Sequence, residues 1–176
     1  MKESLEVLDT EGFKTGEILS RELIHQLGYW HKEIAICIVN SKREFLMQRR
    51  SLTRKMKPGE WTWAAGHVDP HELPIHTALR ELEEEIGIKF KPTDLKYVMT
   101  LKDIEFGNNN LLNRRNLDTY LLKTDVTIDE MTLQEEEVAE VKWFPEEEYK
   151  KRFLENDSVR KQVYEEILRQ HLLDEK

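Results

Sequence analysis

The sequence predicts a mixed α/β fold in which strands outnumber helices. Three observations support this prediction. Apolar and β-branched runs of strand length recur along the chain, an acidic segment of helix length interrupts them, and the C-terminal segment has apolar residues at helical spacing. With 176 residues, 39% of them hydrophobic, the chain is long enough to bury a core, and it contains no internal repeat or linker. We therefore expect a single domain over residues 1–176.

The N-terminal third is predicted to contain three strands and one helix. Residues 5–9 (LEVLD) have the pattern of a short strand, and a turn-forming segment (TEGFKTG) follows. Residues 20–28 start with serine and end with glycine, so we expect a short helix. Residues 33–40 and 44–50 are apolar runs separated by NSKR, which indicates a hairpin. The only cysteine, Cys37, lies in the first of these runs and is expected to be a buried hydrophobic residue.

The rest of the chain continues this alternation. Residues 60–66 (EWTWAAG) are predicted to form a strand with Trp61 and Trp63 on one face, as core aromatic residues. The acidic segment is expected to be a helix over residues 73–86. Further strands are expected over residues 95–106, 116–125 and 136–144. The tail closes with residues 145–153 and with a helix in 157–173, whose packing face is expected to carry Val159, Val163, Ile167 and Leu168.

The overall charge excludes some classes of partner. Lys and Arg total 27 against 35 Asp and Glu, so the net charge is −8. This charge opposes general binding to nucleic acid or to an anionic membrane, and no run approaches the roughly 20 apolar residues of a membrane span. A single cysteine permits no disulfide framework, and the acidic N-terminus is unlike a signal peptide, so we expect a cytoplasmic protein.

The predicted acidic helix has two chemically different sides. At about 100° per residue, its apolar side chains form one narrow stripe: Ile75, Leu79, Leu82 and Ile86. Glu81, Glu84 and Glu85 lie on roughly the opposite side, whereas Glu83 lies near the flank of the stripe. Carboxylate ligands suit Mg²⁺, which commonly bridges them to substrate phosphates. The alternative is a solvated acidic face, since such runs are common on protein surfaces.

The residues around the helix favour the metal-binding alternative. The pattern G-x5-E-x7-R-E-U-x-E-E-x-G-U, with U a bulky apolar residue, is met at every specified position: Gly66, Glu72, Arg80, Glu81, Leu82, Glu84, Glu85, Gly87 and Ile88. This pattern resembles the Nudix box, the signature of Nudix hydrolases, and it occurs in the expected strand–loop–helix context. The resemblance extends more loosely over most of the chain, toward a branch that shares its lead-in with isopentenyl-diphosphate isomerases.

The resemblance implies a fold, an activity and a set of roles. Nudix proteins have an α/β/α sandwich around a mixed β-sheet and typically hydrolyse a nucleoside diphosphate linked to another group. By this resemblance, Mg²⁺ or Mn²⁺ would be bound by Glu81, Glu84, Glu85 and the Ala65 backbone carbonyl. The loop–helix frame would consist of Gly66, Glu72, Arg80 and Gly87. The general base is one of four carboxylates: Glu84, Glu85, Glu136 or Glu137. Neither the sequence pattern nor the resemblance to the family distinguishes between them.

The substrate would be a small-molecule diphosphate held by basic residues that precede the box. Arg50 is the preferred phosphate-binding residue, with Arg54 and His67 as further candidates, because guanidinium groups pair well with phosphate oxygens. The same basic loop contains Lys55. The sequence does not identify the substrate, since family specificity resides in loops outside the box, here residues 105–116.

Two other functions are compatible with parts of this pattern. An isopentenyl-diphosphate isomerase would carry a reactive cysteine and an acidic residue where this chain has Ala65 and Asn116. A non-catalytic, nucleotide-sensing Nudix module is disfavoured by the complete set of carboxylates. His25 and His31 resemble metal-binding histidines of the isomerases, but their spacing differs, and we expect surface or capping residues. The oligomeric state stays open, with a homodimer as one possibility.

Overall fold

A mixed β-sheet of nine strands lies at the centre of the computed structural model, which describes residues 3–54, 56–106 and 111–174. Lys55 and residues 107–110, part of the expected specificity loop, lie outside the described residues. The strands are β1 (Ser4–Leu8), β2 (Lys14–Ser20), β3 (Trp30–Val39), β4 (Glu44–Arg50), β5 (Trp61–Thr62), β6 (Ala64–His67), β7 (Leu95–Phe106), β8 (Leu112–Lys123) and β9 (Val138–Pro145). The helices are α1 (Arg21–Leu27), α2 (Pro74–Ile86), α3 (Glu146–Tyr149), which continues as a π-helical turn over Lys150–Leu154, and α4 (Ser158–Arg169).

Strand β3 organises the sheet. It pairs in parallel with β8 along its whole length, from Trp30 opposite Arg114 to Val39 opposite Lys123. Its other edge pairs antiparallel with β6 and, near its end, with β4, while β1 meets it at Trp30. Strand β7 extends the sheet beyond β8, β2 extends it beyond β1, and β5 and β9 pair with β4. The strand that carries the start of the Nudix-like pattern, β6, is therefore held against the centre of the sheet.

Alternating side chains of β3 point into two separate cores. The even-numbered residues 34–38 pack in one core with Leu82 of α2. The odd-numbered residues 35–39 pack in the other core with Tyr149 of α3 and Ile167 of α4. Helices therefore cover both faces of the mixed sheet, and the predicted α/β/α sandwich is confirmed.

Most of the predicted elements are confirmed within a few residues of their expected bounds. The helix expected over 20–28 is α1, which begins after Ser20, whose side chain accepts from the Leu23 N–H, and ends at Gly28 with a left-handed φ of 68°. The expected hairpin is β3–β4. Cys37 is buried, and burial raises the pKa of its thiol far above the ordinary range, as expected for a core residue.

Three details of the prediction were wrong. Residues 14–20 form β2 although most of their side chains are exposed, so that no apolar alternation marks the strand. The strand expected over 60–66 is interrupted at Trp63, which separates β5 from β6. Leu168 is exposed rather than part of the packing face of α4, because Val163 and Ile167 turn toward the core. No helix within the described ranges is long and apolar enough to cross a membrane.

Candidate active site

Helix α2 has defined ends and a buried apolar side. The side chains of Leu82 and Ile86 are buried against the sheet. Pro74 occupies the first turn, where a backbone N–H would have no acceptor within the helix, so the missing N–H of proline costs no hydrogen bond. Gly87 ends the helix with φ 74°, and a β-carbon there would also lie 2.8 Å from the β-carbon of Thr132. Both the backbone angle and the close approach of the following segment therefore require glycine at this position.

The four glutamates of α2 lie in different environments. Glu81 and Glu85 are buried, with 9% and 2% of their surface exposed, whereas the Glu84 side chain is 50% exposed. Glu83 is exposed and pairs with Lys89 at 3.0 Å. The expectation that three carboxylates lie opposite the apolar stripe was wrong, because α2 packs on the sheet over a wider arc. Glu81 and Glu85 are part of the buried side of the helix, and of the three only Glu84 is exposed.

Two strands receive the buried carboxylates. Gly66 on β6 leaves room for Glu81, since a β-carbon at position 66 would lie 2.1 Å from Glu81 Oε1. Gln48 on β4 donates from Nε2 to Glu85 Oε2 over 3.0 Å. Ala65, whose carbonyl is the expected backbone ligand, precedes Gly66 on β6. The sheet thus brings the start of the pattern and the helix into direct contact.

Arg80 connects the loop after β6 to α2. Its guanidinium donates to the two carboxylate oxygens of Glu72 over 3.4 and 3.2 Å, so the expected loop–helix pair is present. It also donates to Glu81 over 2.8 Å, to Glu84 over 3.2 Å and to the His67 carbonyl over 3.3 Å. Arg80 therefore orients the loop and offsets part of the negative charge of the helix.

A cavity of about 350 Å³ lies between the carboxylates and the basic loop. Arg50 lines this cavity and donates to the Met56 carbonyl over 3.0 Å, but makes no ion pair among the described residues. Arg54 also lines the cavity, but its guanidinium is paired with Glu137 at 2.7 Å. Of the two arginines, Arg50 is therefore the one whose guanidinium is not held in an ion pair within the described residues.

The two tryptophans contact the same core, as predicted, but they are not equally covered. Trp63 is buried, whereas Trp61 is half-buried and lines the cavity. The Trp61 ring meets Phe144 edge-on, with ring centroids 5.2 Å apart. Trp61 is therefore partly a core residue and partly an apolar wall of the cavity.

The sequence of this chain also matches a known domain family. A profile of the NUDIX domain matches residues 30–167. The chain belongs to the Nudix family. It is 34% identical over 155 residues to Nudix hydrolase 3 of Arabidopsis thaliana, covering 85% of this chain and 20% of that protein. It is 32% identical over 141 residues to an uncharacterized Nudix hydrolase of Clostridium acetobutylicum, covering 78% of this chain and 67% of that protein.

The fold of this Nudix protein is similar to that of solved structures. It superimposes on DR0079 from Deinococcus radiodurans with a TM-score of 0.71 and 16% identity, covering 93% of this chain and 98% of that one. At this identity the likeness shows the fold alone. An isopentenyl-diphosphate Delta-isomerase of Streptomyces griseus is 29% identical over 85 residues, covering 48% of this chain and 43% of that enzyme. This Nudix chain spans about a fifth of the Arabidopsis relative and two thirds of the clostridial one.

The Nudix box contains two carboxylates with strongly perturbed acidity. Burial raises the pKa of Glu81 to about 7, a shift that the Arg80 charge opposes and the Glu84 charge increases. Burial also raises the pKa of Glu85 to about 8, and the neighbouring charge of Glu81 increases the shift. Ionisation of both Glu81 and Glu85 is therefore unfavourable unless the two carboxylates bind a cation.

We expect any stabilisation of this Nudix protein by a divalent cation, tested here with Mg²⁺, to grow with pH. In the unfolded chain both glutamates titrate near 4.5, whereas in the folded protein Glu81 and Glu85 titrate near 7 and 8. The stability that these two groups contribute to the metal-free protein is therefore present below about pH 4.5 and is lost as the pH rises through about 8. A bound cation must displace their protons, which becomes easier over the same range.

The measurement is the difference in melting temperature with and without excess Mg²⁺, which should increase from roughly pH 6 to roughly pH 9. Taking the difference removes the contribution of other titrating groups. A variant with both Glu81→Gln and Glu85→Gln should show little Mg²⁺ dependence at either pH. An equal Mg²⁺ effect at both pH values in the parent protein would contradict the expectation.

A second group of titratable residues, whose convergence the sequence did not predict, lies next to the Nudix box. The ligand atoms of His25, His31, Glu33 and His67 lie within 4.8 Å of one another. His25 and His31 are buried, so the expectation of surface or capping residues was wrong. The His67 imidazole lies between the carboxylates of Glu3 and Glu33, which weakens its candidacy as a phosphate-binding residue. The available signal was the alternation of β3, which puts His31 and Glu33 on one face at the start of an apolar strand.

Proposed function

We propose that this protein is a Nudix pyrophosphohydrolase that binds Mg²⁺ or Mn²⁺ and hydrolyses a diphosphate linkage in a nucleoside diphosphate-linked or other organic diphosphate substrate. The proposal rests on the buried carboxylates of Glu81 and Glu85, which lie beside a cavity lined by Glu84 and Arg50. Two buried carboxylates are costly to ionise even with Arg80 paired to Glu81, and a divalent cation would offset that cost.

The donor set fits a hard divalent cation. Glu81, Glu84 and Glu85 supply carboxylate oxygens from one helix, and the Ala65 carbonyl belongs to the strand that Glu81 contacts. When bound, such an ion would neutralise phosphate charge and lower the pKa of a coordinated water. Arg50 would bind a phosphate group of the substrate through its guanidinium.

The general base stays open among the carboxylates near the cavity. Glu84 combines exposure with a place in the cavity wall, whereas Glu85 is buried and is not among the lining residues. Glu137 lines the cavity too, but its carboxylate is already held in an ion pair with Arg54. Glu136 is exposed and is the weakest candidate, because it is not among the residues that line the cavity.

Hydrolysis should require a divalent cation. The test is a screen of nucleoside di- and triphosphates, nucleotide sugars, dinucleotides and isopentenyl diphosphate with Mg²⁺ and Mn²⁺, with the products separated by ion-exchange chromatography. We expect at least one diphosphate to be hydrolysed, excess chelator to stop the reaction and added Mg²⁺ to restore it.

The same screen separates this proposal from its rivals. Turnover that persists in excess chelator would contradict the metal-dependent mechanism. Conversion of isopentenyl diphosphate to its allylic isomer would favour an isomerase, which Ala65 disfavours because its methyl group carries no transferable proton. Nucleotide binding without turnover of any compound would favour a sensing module.

A further inference from the structure

The N-terminal end of α4 meets β5 at one corner of the cavity that Glu81 and Glu84 line. Arg160 of α4 donates from Nη2 to the Trp61 carbonyl of β5 over 3.0 Å, which ties the two elements together. We refer to the five cavity-lining residues at this junction as the tryptophan corner: Trp61, Trp63, Asp157, Val159 and Arg160. The corner contains both aromatic and charged side chains.

The Trp61 indole is held in place but is not fully covered. Its ring contacts Phe144 edge-on, and its backbone is fixed by the hydrogen bond from Arg160 and by pairing of β5 with β4. Trp63 is only 4% exposed, whereas Trp61 is half-buried and lines the cavity. A rigidly held indole that is partly open to a cavity is a surface on which a planar aromatic ring can stack.

A charged pair lies beside the two tryptophans. Arg160 Nη1 is 3.1 Å from Asp157 Oδ2, and the two side chains are 16% and 33% exposed. The Arg160 guanidinium also lies over the Trp63 ring, 5.8 Å from its centroid. A guanidinium has five N–H donors and a carboxylate has about four lone pairs, so this pair retains hydrogen-bonding capacity for a ligand.

This charged pair distinguishes between two kinds of organic group. A hydrocarbon chain placed at the corner would remove water from Asp157 and Arg160 and would offer no hydrogen bond in return, which is unfavourable. A nucleobase has an apolar face that suits Trp61 and a polar edge with donors and acceptors that suits the charged pair. The tryptophan corner therefore favours a nucleobase over an alkyl or prenyl chain.

The tryptophan corner is close enough to the Nudix box for one ligand to reach both. Trp61 and Ala65 are four residues apart, so the chain between them spans at most about 14 Å. Ala65 pairs with Ala35 of β3, and these two small side chains line the same cavity. The cavity volume of about 350 Å³ is near the lower end of the roughly 300–1,000 Å³ range of ligand pockets, which suits one nucleotide rather than two.

We propose that the tryptophan corner is a nucleobase subsite, in which Trp61 stacks on the base of the substrate while Asp157 and Arg160 bind its polar edge. The substrate class is then a diphosphate that carries one nucleoside. This inference rests on the proposed function, since the phosphates of the same ligand would lie beside Arg50 and the Nudix glutamates. Trp61 determines specificity in this arrangement, because it contacts the base and not the reacting phosphates.

Equilibrium binding tests the subsite without any dependence on turnover. The probes are the α,β-methylene analogues of ADP, GDP, CDP and UDP, methylenediphosphonate, which carries no base, and the methylene analogue of isopentenyl diphosphate, each titrated calorimetrically in Mg²⁺. We expect at least one nucleoside analogue to bind at least roughly tenfold more tightly than the two probes without a base. Trp61→Leu should remove this advantage and leave the affinity for methylenediphosphonate within about threefold of the parent.

The matched control is Trp143→Leu. Trp143 is a half-buried tryptophan of β9 that packs against the other core and is not among the described residues that line the cavity. Its substitution should preserve the preference for a nucleobase. If Trp61→Leu fails to fold, Trp61→Phe retains a ring at the same position. In the parent, the preferred nucleoside analogue should quench tryptophan fluorescence more than methylenediphosphonate does, and Trp61→Phe should reduce that quenching.

The outcomes separate this subsite from the proposed hydrolase activity. The subsite would be overturned if no nucleoside analogue bound more tightly than methylenediphosphonate, or if folded Trp61→Leu kept the preference for a base. Base-dependent binding without turnover of any diphosphate would support the subsite and contradict the hydrolase. Metal-dependent hydrolysis of diphosphates with no preference for a base would support the hydrolase and overturn the subsite.

Discussion

Glu84→Gln and Glu85→Gln should each lower turnover by at least roughly a hundredfold in saturating Mg²⁺, because each removes a charged oxygen ligand or a proton acceptor while preserving side-chain shape. Glu81→Gln should also lower turnover, but by less, since Arg80 at 2.8 Å already compensates part of the Glu81 charge. The measurement is steady-state kcat on a diphosphate substrate found in the screen.

The matched control is Glu83→Gln, on the same helix and one residue from Glu84. Glu83 is exposed and pairs with Lys89, so its substitution should leave turnover within a few fold of the parent. Circular dichroism should show all four variants folded. Without metal, Glu85→Gln should be more stable than the parent at neutral pH, because a neutral amide replaces a buried carboxyl group. If folded Glu83→Gln were as inactive as Glu84→Gln, the assignment of the helix faces would be wrong.

Gly66→Ala should lower kcat/KM, by up to about a hundredfold, through displacement of the Glu81 carboxylate. The new β-carbon would lie 2.1 Å from Glu81 Oε1 and 2.7 Å from its Cγ, so the carboxylate would have to move. A misplacement of about 1 Å in a reacting group can lower the rate by about a hundredfold. The atoms that the new β-carbon would meet belong to the Glu81 side chain and not to the backbone, so the side chain can move aside. The melting temperature should therefore fall by only about a few degrees.

The control for this glycine is Gly16→Ala in β2. Gly16 has φ 84° and no atom within 4 Å of its would-be β-carbon, so it reports backbone strain without any steric contact. We expect a destabilisation of about 1 kcal/mol and unchanged turnover. If both substitutions reduced stability equally and neither affected turnover, the close packing of Gly66 on Glu81 would have no role in activity.

Residue spacing was sufficient to predict α2 and its end near Gly87, and the resemblance to the Nudix box implied the contact between Glu72 and Arg80. These features depend on residues close together in the sequence, where helix periodicity and the conformation of glycine leave few alternatives. Strand β2 was missed for the opposite reason. Its exposed side chains carry no apolar alternation, and it is a strand only because β1 pairs with it.

The sequence by itself determined the family, the α/β/α architecture and the residues that form the Nudix box. Only the tertiary structure decided that Glu81 and Glu85 are buried, because their partners Gly66 and Gln48 come from separate strands. It also separated Arg50 from Arg54, since of these two arginines only Arg54 forms an ion pair with Glu137 in the described part of the chain. His25, His31, Glu33 and His67 come together from α1, β3 and β6, which no local pattern in the sequence could predict. The protonation state of a side chain and its hydrogen-bond and ion-pair partners depend on its burial and on contacts with residues distant in the sequence. These contacts form only when separate strands and helices pack together in the folded protein.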